Sequence, residues 1–221
     1  MTLRTKNRIL LHHVPIVVGS GVVLTLFFLS LASDDLKFRA SLSTAYVSLL
    51  LLAGTLLPGA LNVLAKRRNP ISSDLRRDLG IWCGIFALIH VAVGLQVHMG
   101  SMLLYFVRKS DAHDLYIPRT DIFGFANYLG IGAAVITLLL LVISNDASLR
   151  RLRSARWKLF QRSSYVLFIL TVLHAIAYQY IESRKVVYIL FFAIAVIVPV
   201  AVQLNGYRVF RRGTRSSGFI A

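Results

Sequence analysis

Charge is scarce in this 221-residue chain, and acidic charge is the scarcest. Only 15% of residues are charged, and Asp plus Glu number nine, where a soluble globular chain carries about 25% charged residues. That deficit excludes a soluble enzyme, a disordered tail and a water-soluble helical bundle. Cysteine is nearly missing as well. Cys83 stands alone, which excludes a disulfide framework, and a single thiol inside an apolar stretch reads as packing. No internal repeat and no low-complexity tract is present, and no G-x-G-x-x-G follows a strand pattern, so no dinucleotide-binding fold is signalled.

What the chain has in abundance is apolar sequence. Six stretches contain no Asp, Glu, Lys or Arg: Val14–Ala32, Ala40–Ala65, Leu79–Val107, Ile122–Asn145, Ser163–Ile181 and Val186–Tyr207, together 139 of 221 residues. The shortest has 19 residues, and about 17–25 apolar residues span a bilayer as a helix. The expected fold is therefore all-α: a polytopic bundle of six transmembrane helices over residues 14–207. Residues 1–13 form an N-terminal segment and residues 208–221 a basic tail. Val14–Ala32 reads as a retained helix, because its 19-residue apolar run is long for a signal-peptide core.

The formal charge of +16 would suggest nucleic acid in a soluble protein. Here the basic residues flank the apolar spans, so topology explains them, lipid is the expected partner and nucleic acid is not. Alternate loops and the two termini carry 18 Lys and Arg on one side and 7 on the other. By the positive-inside rule both termini are cytoplasmic. Ser72, Ser73 and Asp74 are N-cap candidates for the third helix.

The chemistry rests on histidine. His12, His13 and His113 read as interfacial or solvated, whereas His90 and His98 in the third span and His174 in the fifth lie within apolar sequence. An ionisable group in a span faces the bundle interior and has a partner. Zinc takes four ligands drawn from Cys, His and carboxylates, and these spans offer one cysteine and no carboxylate. A proton relay would recruit the same missing acids. Haem needs one or two axial imidazoles, an apolar slot and basic groups for its propionates, and small residues such as Gly94, Ala175 and Ala177 stand beside the histidines.

Depth leaves the pairing open. His90 lies 13 residues after Arg77 and His174 lies 12 after Arg162, both roughly 20 Å along a helix. Counted from the other end, His98 is 10 residues before Arg108 and His174 is 10 before Arg184. His174 can thus pair with His90 or with His98. Arg76 and Arg77 are candidates for holding propionates.

Two blocks carry a family resemblance. Arg76-Arg77-Asp78-Leu79-Gly80-Ile81-Trp82-Cys83 with Leu88-Ile89-His90, and Arg156-Trp157-Lys158 with Tyr165 and Leu173-His174, resemble the third and fifth helices of the ferric reductase-like transmembrane domain family. Within it, the blocks are similar to haem-binding membrane subunits of bacterial methionine sulfoxide reductase systems. The resemblance implies b-type haem held by His90 and His174, electron transfer across the membrane and a multi-pass location in a bacterial inner membrane or its equivalent. Members with two haems have a further fifth-helix histidine where this chain has Gln161. One haem is therefore expected, with two as the alternative.

About fourteen residues follow Tyr207, too few for the flavin and nicotinamide module of the larger members. Electrons are then expected from a separate donor, a flavin reductase or a quinol, with FMN or a quinone as the carrier and a periplasmic oxidoreductase as an acceptor. Two other readings stand beside this one. A self-contained ferric or cupric metalloreductase would use Asp111, His113 and Asp114 on the outer face. A non-redox scaffold or transporter would use His90 and His174 for packing.

Overall fold

The computed structural model describes residues 3–66, 71–110 and 115–217. Asp111, His113 and Asp114 lie outside these residues. The chain is an all-α multi-pass membrane protein. Helices α1 (Leu3–Arg8) and α2 (Val14–Ser30), joined through a π-helical turn at Ile9–His13, are followed by α3 (Leu36–Leu64) and α4 (Ile71–Gly94). A short antiparallel hairpin of β1 (Val107–Lys109) and β2 (Tyr116–Pro118) precedes α5 (Ile122–Ile143), α6 (Asp146–Gln161), α7 (Ser163–Ile181) and α8 (Val186–Ser217). Six spans are long and apolar enough to cross a membrane: Lys6–Ser30, Leu36–Leu64, Asp74–Gly94, Ile122–Ile143, Leu159–Ile181 and Val186–Arg212. One end of the bundle carries α1, α6 and the end of α8, and is called the terminal end below. The other carries the β-hairpin and is called the hairpin end.

Helix α3 is the hub, packed against α2, α4 and α8, while α5 packs mainly on α7. Its buried face holds Ser41, Ser43, Thr44, Ser48 and Thr55. These small side chains let neighbouring helices approach closely. Most return their hydroxyls to the helix itself, as Ser43 does to the Arg39 carbonyl (2.6 Å) and Thr44 to that of Ala40 (2.8 Å), so these hydroxyls are paired within the low-dielectric interior. Helix α2 instead turns Val18, Val22, Leu26 and Leu29 outward, as a lipid-facing helix does. Caps fix where helices begin. Asp35 accepts from the Lys37 and Phe38 amides, Asp121 from that of Gly124, and Asn145 from that of Ser148.

Three expectations change. The apolar run Leu79–Val107 is not one helix: α4 stops at Gly94, and His98 sits in the turn beyond it. The stop is built by Tyr105, 1% exposed, whose hydroxyl donates to the Gly94 carbonyl and accepts from the His98 amide, each at 2.8 Å. One side chain thereby satisfies a carbonyl and an amide that a continuing helix would have paired. At its other end α4 already runs from Ile71, so Ser72–Asp74 form its first turn rather than its cap. The basic segment after α5 is not a loop but helix α6, amphipathic and tied back by the Trp157 indole, which donates to the Ile143 carbonyl (3.0 Å). An amphipathic helix rich in arginine lies in the membrane interface.

Candidate functional site

Helix α4 carries His90 and α7 carries His174, and the bundle brings the two imidazoles together with ring centroids 6.2 Å apart and planes 72° apart. Each ring is held from behind by a neighbouring backbone. His90 Nδ1 lies 2.9 Å from the Ser41 carbonyl of α3, with the Ser41 hydroxyl at 3.2 Å. His174 Nδ1 lies 2.8 Å from the Ala126 carbonyl of α5. A carbonyl only accepts, so in each ring Nδ1 carries the proton and Nε2 keeps its lone pair. No hydrogen-bond partner for either Nε2 occurs among the described residues. This arrangement, one nitrogen donating to a carbonyl and the other free, is how a protein presents a metal-ligating histidine.

Glycines make the room. A Cβ on Gly130 of α5 would stand 2.9 Å from both Cε1 and Nδ1 of His174, and one on Gly94 would stand 3.1 Å from the Ser41 hydroxyl and 3.7 Å from His90 Cε1. The rings face a cavity of about 190 Å³ walled by small and apolar side chains, among them Ala45, Leu49, Ala87, Val91, Ala134 and Ala175. Among the described residues no three His, Cys, Asp or Glu side chains gather to hold a metal. The site therefore offers two imidazoles and an apolar slot.

The family model described as ferric reductase like transmembrane component matches residues 39–172. The chain belongs to this family. Ferric reductase-like domains commonly bind haem, and the residues of this ferric reductase-like protein fit that group. His90 and His174, with ring centroids 6.2 Å apart, are the side chains that would hold the group. The family match ends two residues before His174, so the geometry is what joins that residue to the site.

The other residues singled out from sequence lie elsewhere. His98 lines the same cavity nearer the hairpin end, where its Nε2 is 3.0 Å from Glu182 Oε1 and its ring stacks on Tyr178. Arg77 lies at the terminal end, 2.5 Å from Asp146 Oδ1, and its guanidinium holds that carboxyl below the usual carboxylate range. Arg76 reaches the Ser164 hydroxyl at 3.5 Å.

Some partnerships could not be found from sequence. His12 and His13 are partly exposed at the membrane edge, and both are engaged. His12 Nδ1 is 2.8 Å and His13 Nε2 is 3.5 Å from the carboxylate of Asp78, which is fully buried and also takes the Arg8 guanidinium. The Trp82 indole donates to His13 Nδ1 (3.1 Å). The apolar stretch begins at Leu79, one residue too late to reveal this carboxylate inside the span. The Ser41 and Ala126 carbonyls have no sequence signature at all. Gly130 could have been suspected, since an unexplained helix glycine has a packing reason.

Proposed function

We propose that this protein is a haem b membrane subunit that carries electrons across the bilayer, from a donor at the terminal end to an acceptor at the hairpin end. Family membership suggests a membrane electron-transfer function. The observation that carries the finer reading is the facing pair His90 and His174, each with Nδ1 committed to a carbonyl and Nε2 free. Haem supplies a one-electron iron centre when bound. The chain's own part is positional. The Ser41 and Ala126 carbonyls fix ring orientation and raise the basicity of the free nitrogens, and the apolar walls keep water out.

The excess of Lys and Arg at the terminal end supports a cytoplasmic placement of that end. The same charge can steer an acidic flavin reductase, and a quinol reaching the bundle from the lipid serves as well. The acceptor then stands on the far side, as a periplasmic oxidoreductase does. A single haem is the favoured count, because Gln161 stands where two-haem members have a histidine, and a side-chain amide is a far poorer iron ligand than an imidazole.

The test is haem content and the dithionite-reduced optical spectrum of the purified chain. Wild type is expected to show sharp b-type bands at one haem per chain. His90→Ala and His174→Ala are expected to lose them, while His98→Ala retains them. A His174→Ala protein with full haem content would overturn the ligand assignment.

A further inference from the structure

Arg184 is one of seven Lys and Arg residues on the hairpin side, and of these it is the one that lines the histidine cavity. It lies on the side of the bundle poor in Lys and Arg, so the positive-inside rule gives no reason for it. The chain turns it inward by a defined device. Helix α7 ends in a Schellman motif: Ser183 takes a positive φ of 45°, its amide bonds the Tyr180 carbonyl (3.3 Å), and the Arg184 amide bonds that of Gln179 (3.2 Å). The Arg184 side chain then lines the histidine cavity, with its guanidinium 4.8 Å from the centre of the Phe38 ring.

Among the described residues that guanidinium has no hydrogen-bond acceptor and no carboxylate within salt-bridge distance. Glu182, two residues away, is engaged by His98 at 3.0 Å. Burial draws the Arg184 pKa down and outweighs the nearby Glu182 charge, which pulls the other way. Beside it, Gln179 Oε1 is buried without a partner. The oxygen and nitrogen of an amide exchange by a simple rotation, so this side chain can present an N–H at the same place. Arg184 and Gln179 also line a second, open pocket of about 630 Å³ at the hairpin end. They form the wall between the histidine cavity and that face.

A partly buried guanidinium without a hydrogen-bonded partner, next to an unpaired amide, is a receptor for a carboxylate. We propose that Arg184, assisted by Gln179, binds the carboxylate groups of the cavity's ligand and so turns its carboxylate-bearing edge toward the hairpin end. The inference rests on the haem reading above, in which those carboxylates are the propionates. It assigns Arg184 a role first considered for Arg77, which is occupied by Asp146 at the opposite end.

The test uses full-length apoprotein from haem-depleted cells, titrated in detergent with haem and with haem dimethyl ester, whose carboxylates are blocked. Wild type is expected to bind haem at least tenfold more tightly than the ester. Arg184→Gln is expected to bind both alike, at the level wild type shows for the ester. Arg184→Lys is expected to restore part of the preference, and Lys185→Gln, at the exposed neighbouring residue, to leave it intact. Ester binding by Arg184→Gln shows that the variant is folded. Equal binding of both pigments by wild type, or an undiminished preference in Arg184→Gln, would overturn the assignment. Failure of wild type to bind either pigment would bring down the haem reading itself, and this inference with it.

Discussion

Gly130→Ala separates the stability of the bundle from the competence of its site. On helix propensity alone the change favours α5 by about 0.8–1 kcal/mol. At this position the new methyl would stand 2.9 Å from two atoms of the His174 ring, against ordinary van der Waals contact of about 3.5–4 Å. The imidazole must therefore retreat by more than half an ångström, and it retreats from the Ala126 carbonyl that it bonds at 2.8 Å. A lost hydrogen bond is worth about 1 kcal/mol, which offsets the propensity gain, so thermal stability should change little. Ligation should not escape so lightly. Disturbing the partner that orients a metal-bound histidine weakens metal affinity about 10–100-fold, or about 1.4–2.8 kcal/mol. The assay is haem titration of the apoprotein beside its thermal unfolding in the same detergent. Gly21→Ala, where an added Cβ meets nothing within 4 Å, is the control and should bind as wild type does. A Gly130→Ala protein with wild-type affinity and spectrum would refute the claim that this glycine exists to seat His174.

Other perturbations have distinct signatures. Asp78→Ala removes the carboxylate shared by Arg8, His12 and His13 and should destabilise the packing of the N-terminal helix on α4 by about 2 kcal/mol, read as faster proteolysis near residue 8. Ser183→Gly relieves the positive φ at the end of α7 and should raise stability by about 0.5–1 kcal/mol, seen as a higher unfolding midpoint. Arg119 and the Gly124 amide hold the Asp121 carboxyl below its ordinary value. A depressed folded-state pKa adds stability that is complete above the unfolded value of about 3.9 and lost as pH falls through the folded one. Amide protection factors in the first turn of α5, corrected for intrinsic exchange, should thus be flat from pH 7 to about 5 and fall only below about 4. Asp121→Ala should abolish that dependence.

The spans were readable because a charge inside a bilayer is costly, so uncharged runs outline the helices. The same signal misled at His98. Nothing polar interrupts Leu79–Val107, yet α4 ends at Gly94 because the Tyr105 hydroxyl, eleven residues on, replaces the next turn of hydrogen bonds. Hydropathy cannot register a tertiary cap. Without that stop, His98 could be placed on the same helix as His90 and counted to the depth of His174. Helix α6 escaped notice because its charge was read as topology, although Asn145 and Asp146 mark a helix start. Within the site, side chains that carry chemistry were legible by type, and His90 and His174 stood out for that reason. The groups that aim them, two carbonyls and a glycine, look in sequence like any others. In sequence Arg184 looks like any loop charge, since its inward direction comes from a left-handed turn at Ser183 that no residue type there announces.

The central claim is that His90 and His174 are the two residues that would hold the haem iron. Its most direct test is the identification of the axial ligands in the ferric protein by near-infrared magnetic circular dichroism together with electron paramagnetic resonance. The account predicts a bis-imidazole charge-transfer band and a low-spin ferric signal, both abolished in His90→Ala and in His174→Ala. A protein purified without haem after growth with ample haem precursor, or a bis-imidazole signature that survives both substitutions, would contradict it.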